Sequence, residues 1–313
     1  MFTRLFFVLV ILSGATACSG PGSKLTAIKL LTGYPSGSGL AYHNGRIYIV
    51  GDDAPYILVL DSLLNAIDSI RIIESSGKRI AKERKPDIEA LAIIKNNNTA
   101  TMLAVGSGSL SPSRDSCYVL DLPGIEIKRY GLDSFYSRLK HSGVSTVNIE
   151  GAAFIPGGLL LANRGNKSFP KNHLIATSDI FWENQSTADI TLIEPANNSD
   201  TSTFSGISGL DYSYISDQLF MTISTENTFS AHEDGEIGQS YLWIINDLSS
   251  KMNLRRLYPD KIINLSNIDQ RFNEQKIESV CILSENNREK ILALTADDDK
   301  GGTVLFRLIL LER

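Results

Sequence analysis

Three glutamates, Glu89, Glu150 and Glu278, each stand where a polar segment gives way to an apolar run, in "IEALAI", "IEGAAF" and "IESVCI". Serines hold the matching place in "SGLAY" (Ser38) and "SGLDY" (Ser208). Three carboxylates gathered at one point would repel one another, and a bound cation or a basic side chain would relieve that repulsion. Calcium suits such a set, because it takes six to eight oxygen ligands from carboxylates, amides, carbonyls and water. The metal set read from the sequence is Glu89, Glu150 and Glu278, with Asp52, Asn163 and Asp297 as further oxygen donors. Zinc fits poorly, since the chain has 4 histidines and none is closely spaced with another or with a cysteine.

The same loops hold cations. Arg114 and Arg164, with Lys167 nearby, suit a phosphorylated or carboxylated small molecule, or the arginines pair with the glutamates. The Gly/Ser-rich "GSGSLSPSR" (106–114) would turn backbone N–H groups toward an anion. Nucleophilic catalysis has little to build on: there is no G-x-S-x-G elbow, and no full set of acid, base and nucleophile assembles.

Only an internal repeat can bring such distant residues together. The first positions, Ser38, Glu89, Glu150, Ser208 and Glu278, are spaced by 51, 61, 58 and 70 residues. Each opens a short apolar strand, followed by a polar turn, a second apolar strand and a polar loop. Third strands read 56–61, 116–122, 173–180, 240–246 and 303–310, and fourth strands 66–72, 125–132, 188–194 and 252–258. The last unit lacks a fourth strand, and "KLTAIKLL" (24–31) supplies it from the other end of the chain, removing a bare sheet edge. The expected fold is therefore an all-β, five-bladed β-propeller of four-stranded antiparallel blades. A six-bladed ring would need a blade inside 73–87 or 133–147, segments too short and too polar for one. Helical pattern is confined to 133–143 and 267–275.

In a propeller the first strand of each blade lines the central channel, so its opening residue sits at one mouth. The loop after the second strand returns to that mouth. The expected ligand-binding set is therefore Ser38, Asp52, Asp53, Glu89, Arg114, Glu150, Asn163, Arg164, Ser208, Glu226, Glu278 and Asp297.

The blade-opening elements "SGLAY", "IEALAI", "IEGAAF", "SGLDY" and "IESVCI" resemble those of secreted bacterial propellers of the esterase-like phytase and SdiA-regulated families, and of envelope lipoproteins in that group. The resemblance covers most of the chain at the level of pattern. It implies a central-mouth site with calcium and phosphoester hydrolysis. Serine replaces glutamate at 38 and 208, and five blades are a departure from the group.

The first 17 residues, with Arg4, an apolar run and a small-residue end, read as a secretory signal too short for a permanent span. Ala15, Thr16 and Ala17 before Cys18 resemble a lipoprotein box, which makes Cys18 the lipidated residue, 18–23 a tether and 24–313 the propeller domain. Without Arg4 there remain 29 basic against 35 acidic side chains, a balance that excludes a nucleic-acid partner. Cys117 and Cys281 lie in apolar runs and read as buried free thiols.

The whole points to a monomeric, lipid-anchored propeller of the bacterial cell envelope, on the outer membrane facing the periplasm. It binds a small molecule or an envelope protein at its central mouth, with calcium as the expected ion; the alternative is a metal-assisted hydrolase of phosphate or carboxylic esters. Cys18→Ser, expressed with its leader, is expected to leave the membrane fraction or to stay unprocessed. Cell fractionation with immunoblotting reads the outcome, and unchanged membrane association would refute lipidation.

Overall fold

The computed structural model describes residues 22–75, 77–96, 99–122, 126–196, 204–226, 237–297 and 302–311. The leader, Cys18 and most of the tether lie outside the described residues. Five sheets form five blades, as expected. Their inner strands are Gly37–His43, Ile88–Asn96, Ile149–Ile155, Ser205–Ser213 and Lys276–Glu285. Each of these touches the next, and the fifth touches the first, so the ring is closed. Among the described residues, no helix is long and apolar enough to cross a membrane.

The core is divided by blade. Five apolar layers lie between successive sheets, for example Leu103, Cys117 and Phe135 of the second blade against Leu159 and Ile175 of the third. The helix Asp133–His141 buries Phe135, Tyr136 and Leu139 in that layer. Cys117 and Cys281 are both buried free thiols.

A single irregularity recurs in all five blades. Pairing of inner and second strands slips between Gly37 and Gly39, Ile88 and Ala90, Ile149 and Gly151, Ile207 and Gly209, and Ile277 and Ser279. The residues passed over are Ser38, Glu89, Glu150, Ser208 and Glu278, so every repeat-opening residue sits at a β-bulge, a device that re-aims a side chain. The residue after each bulge is small because neighbouring inner strands come closest there. A Cβ on Gly209 would lie 2.6 Å from Ser279 Cα, and one on Gly39 would lie 3.1 Å from Glu89 O.

The ring closes where the sequence indicates, with Lys24–Leu31 antiparallel to Thr303–Leu311. Thr303 fastens the seam, accepting from Gly37 N at 2.8 Å and donating to Tyr34 O at 3.0 Å. One strand assignment needs correction. The outer strand of the fourth blade is Lys261–Asn264, not 252–258. The segment before it starts as a helical turn, Leu248–Lys251, and its Arg256–Leu257 pairs parallel with Glu194–Pro195 of the third blade. Leu257 is 1% exposed in the layer between those blades, and this burial outweighs the weak alternation of "MNLRRLY".

Deleting 24–31 removes one partner of the Thr303–Leu311 strand and uncovers its edge. Because that outer strand is mostly exposed, the loss is chiefly of backbone pairing, and a destabilisation of about 3 kcal/mol is expected. Denaturant melts and size-exclusion chromatography check this; an unchanged midpoint and an unchanged elution volume would count against closure by this strand.

Candidate functional site

The bulges aim Glu89, Glu150 and Glu278 toward one end of the channel, and two kinds of loop complete that mouth. The loops after second strands bring Asp52, Asp53, Ser107, Arg114 and Arg164. The segments leading into inner strands bring Arg79, Lys85, Asp87, Asn148 and Lys276. The second group escaped sequence reasoning, which followed only the loops after second strands. A signal was present in the basic run "KRIAKERKPD" (78–87), placed directly before the acid of the second blade.

Asp87 is the hub of the densest part. It is 4% exposed and takes a left-handed backbone, with φ of 56°, a conformation aspartate tolerates better than most residues. Its Oδ2 accepts from Arg114 Nη1 at 2.6 Å and Ser107 Oγ at 2.5 Å, and its Oδ1 meets Lys85 Nζ at 2.7 Å. Lys85 also pairs with Asp52. Carboxylate oxygens of Asp52, Asp87 and Glu89 all lie within 4.8 Å of one another, a potential metal-binding cluster. Asp52 Oδ1 is buried without a hydrogen-bond partner, and no described residue hydrogen-bonds or ion-pairs with the Glu89 carboxylate.

Electrostatics follow from this crowding. Burial raises the Glu89 pKa well above the ordinary range, Asp87, Glu150 and Asp52 add to the rise, and Lys85 opposes it. Burial works against the charge of Lys85, yet Asp52 and Asp87, with Glu89 behind them, outweigh it and raise its pKa. Burial and then Asp52 raise Asp53, against the pull of Arg79, whose Nε donates to Asp53 Oδ2 at 2.6 Å.

The other acids have their own basic neighbours. Glu150 accepts from Asn148 Nδ2 at 2.6 Å and lies 3.8 Å from Arg164 Nη1. Burial pushes its pKa up to about 7, Arg164 holds it down and Glu278 adds to the rise. Glu278 pairs with Lys276 at 3.1 Å. Asp297 reaches this mouth too, acting through space on the Arg79 charge. The described cluster thus takes Glu89 from the expected metal set and joins it to Asp52 and Asp87, while Glu150 and Glu278 lie beside cations.

Several candidates serve the fold. Ser208 Oγ donates to Ile277 O at 2.6 Å, tying the fourth blade to the fifth, and Ser38 Oγ donates to Ser36 O at 3.0 Å. Asn163 accepts from Asn148 N at 2.7 Å and donates to Thr146 O at 3.1 Å, so its amide is taken up by backbone. In the Gly/Ser loop, Ser107 and Ser109 turn their hydroxyls to Asp87. Glu226 ends its strand at the same mouth, and its side chain lies outside the described residues. At the opposite end a cavity of about 50 Å³ lies beside Asp211, Tyr212 and Tyr214, room for a few waters.

Between its unfolded value near 4.5 and about 7, Glu150 binds its proton more tightly in the folded chain. That contribution to stability is complete below pH 4.5 and disappears as pH rises through 7. Glu150→Gln is therefore expected to flatten the fall in stability across this window and to be more stable than the wild type at pH 8, by about 2 kcal/mol. Urea melts at successive pH values test it; parallel curves for the two proteins would contradict the raised pKa.

A model of the family described as "Family of unknown function (DUF6929)" matches residues 33–310. No curated protein matches the chain. Among solved structures, the glutaminyl cyclase of Myxococcus xanthus is similar at 10% identity and a TM-score of 0.47, over 93% of this chain and 97% of that one. The arabinanase Arb43A of Bacillus subtilis is similar at 10% identity and a TM-score of 0.42, over 90% and 96%. Neither likeness bears on the chemistry of this chain.

Proposed function

The chain belongs to the DUF6929 family, and from the geometry of its mouth we propose that it is a cation-dependent propeller that binds an anionic small molecule there, with hydrolysis of a phosphate or carboxylic ester as the reaction its residues suit. The observation that carries this reading is the convergence of Asp52, Asp87 and Glu89 within 4.8 Å. The donor set fits a hard divalent ion: all three offer carboxylate oxygens, and Asp52 Oδ1 is buried with no hydrogen-bond partner. Calcium is the ion proposed. A divalent ion held there supplies Lewis acidity toward a phosphoryl or acyl oxygen.

The chain's own residues would do the rest. Arg79, Arg164 and Lys276, each beside an acid, are the donors an anionic ligand would meet at the mouth. Glu150, poised near pH 7, is suited to take a proton from water on its carboxylate and return it to a leaving group. We further propose that the protein acts in the bacterial envelope as a monomer, anchored through Cys18.

A second reading rests on Lys85, whose ammonium already bridges Asp52 and Asp87. If lysine is the resident cation, the mouth binds its ligand without metal. Calorimetric titration with calcium separates the two. Under the first reading the wild type binds one ion per chain, Glu89→Gln loses most of that affinity, and Lys85→Met tightens it roughly tenfold by removing the competing charge. Binding only in Lys85→Met would establish the second reading. No binding in either protein would end the metal-assisted hydrolase, as would a calcium-loaded wild type inert toward 4-nitrophenyl phosphate and 4-nitrophenyl acetate.

A further inference from the structure

Away from the channel, a cleft of about 450 Å³ opens between the first and second blades. This is the size range of small-molecule sites. Its apolar walls are Ile72 and Ile73, which follow the outer strand of the first blade, and Ile127, which begins the outer strand of the second. These three half-buried side chains continue the apolar layer between the blades outward to the surface, where no described segment covers them.

The charged groups that line the cleft share one sign. Arg84 comes from the segment between the blades and Arg129 from the outer strand of the second blade. Both are exposed, and neither forms an ion pair among the described residues. Arg129 lies opposite Tyr118 on the neighbouring strand, and its charge opposes the rise that burial gives the Tyr118 pKa. Tyr118 is 6% exposed and turns toward the same cleft. Two guanidinium groups beside hydrocarbon walls match one kind of ligand, an oxyanion borne on a compact apolar body, because each half of such a molecule meets a surface of its own character.

From this juxtaposition of Arg84, Arg129 and Tyr118 with Ile72, Ile73 and Ile127, we propose that the cleft between the first and second blades is a binding site for an amphipathic organic anion, separate from the central mouth. The two places are back to back along the chain. Arg84 and Pro86 face the cleft while Lys85 and Asp87 face the channel, and Ser113 lines the cleft beside Arg114 of the Asp87 cluster.

The test uses mature protein labelled at isoleucine methyl groups and titrated with benzenesulfonate, which pairs an oxyanion with a ring and contains no bond that an esterase cleaves. Sulfate (the charge without the ring) and benzyl alcohol (the ring without the charge) are the controls. Saturable methyl shifts at Ile72, Ile73 and Ile127 are expected, with benzenesulfonate binding roughly tenfold more tightly than either control. Arg84→Gln and Arg129→Gln should each weaken it by a similar factor while leaving the calcium titration of the mouth unchanged, so loss of this site and loss of the central reading are told apart. Because both arginines are exposed, the variants are expected to keep the wild-type melting temperature, and any that does not is replaced by Arg→Lys at the same position. Shifts confined to other methyl groups, equal affinity for sulfate or benzyl alcohol, or indifference to both arginine substitutions would overturn the proposal.

Discussion

The approach of five strands to one axis governs this molecule. Near the mouth, adjacent inner strands come so close that a Cβ on Gly209 would collide with neighbouring backbone and one on Gly39 or Gly151 would be crowded by it, and Ser279 fits by accepting a hydrogen bond from Leu40 N at 3.1 Å. Immediately before each small residue the ladder slips, and the displaced residue is the one aimed at the channel. Tight packing and functional presentation are thus two results of one local geometry. The serines in the first and fourth blades use the bulge for a hydrogen bond to backbone, and the glutamates in the other three use it to place charge.

Charge at the mouth is balanced by delivery from two directions. Buried carboxylates in this number are sustained only with compensating groups, and the chain supplies them from the segments that join one blade to the next and from the loops after second strands. Asp87 shows the principle: lysine, arginine and serine from both sides of the second blade saturate its two oxygens. Glu89, two residues later, has no hydrogen-bonding or ion-pairing partner among the described residues, and burial with its acidic neighbours raises its pKa. This contrast makes the cluster responsive to an added cation where a fully paired network would not be.

The architecture was legible because propeller blades repeat. Five spaced apolar pairs, a recurring opening position and one orphan strand, 24–31, to complete a last unit one strand short sufficed for blade number and closure. Bulges were not legible, since a one-residue slip leaves no mark in an apolar run until the partner strand is known. The fourth blade's outer strand was misplaced because "MNLRRLY" and "KIIN" are both short, and the choice between them depends on the burial of Leu257 in a neighbouring layer. At the mouth, the acids could be read from their equivalent places in the repeat. Lys85, Asp87 and Lys276 lacked such places, because inter-blade segments vary in length and share no pattern, and only the basic run 78–87 marked the first two. Asn163 and Ser208 looked like ligands by position, and their hydrogen bonds to backbone depend on a register visible only in three dimensions.

The seam between Lys24–Leu31 and Thr303–Leu311 joins residues up to 285 positions apart, as in Lys24 opposite Ile309. Contacts of such separation are formed late, since the chain must surrender loop entropy before they return any energy. Four blades can fold from neighbouring strands alone, but the fifth has to wait for the opposite end of the polypeptide. During synthesis Lys24–Leu31 therefore lacks its partner until Thr303–Leu311 has been made. Until that pair forms, the polypeptide is an open row of blades and not a ring, so the topology itself makes closure the last step.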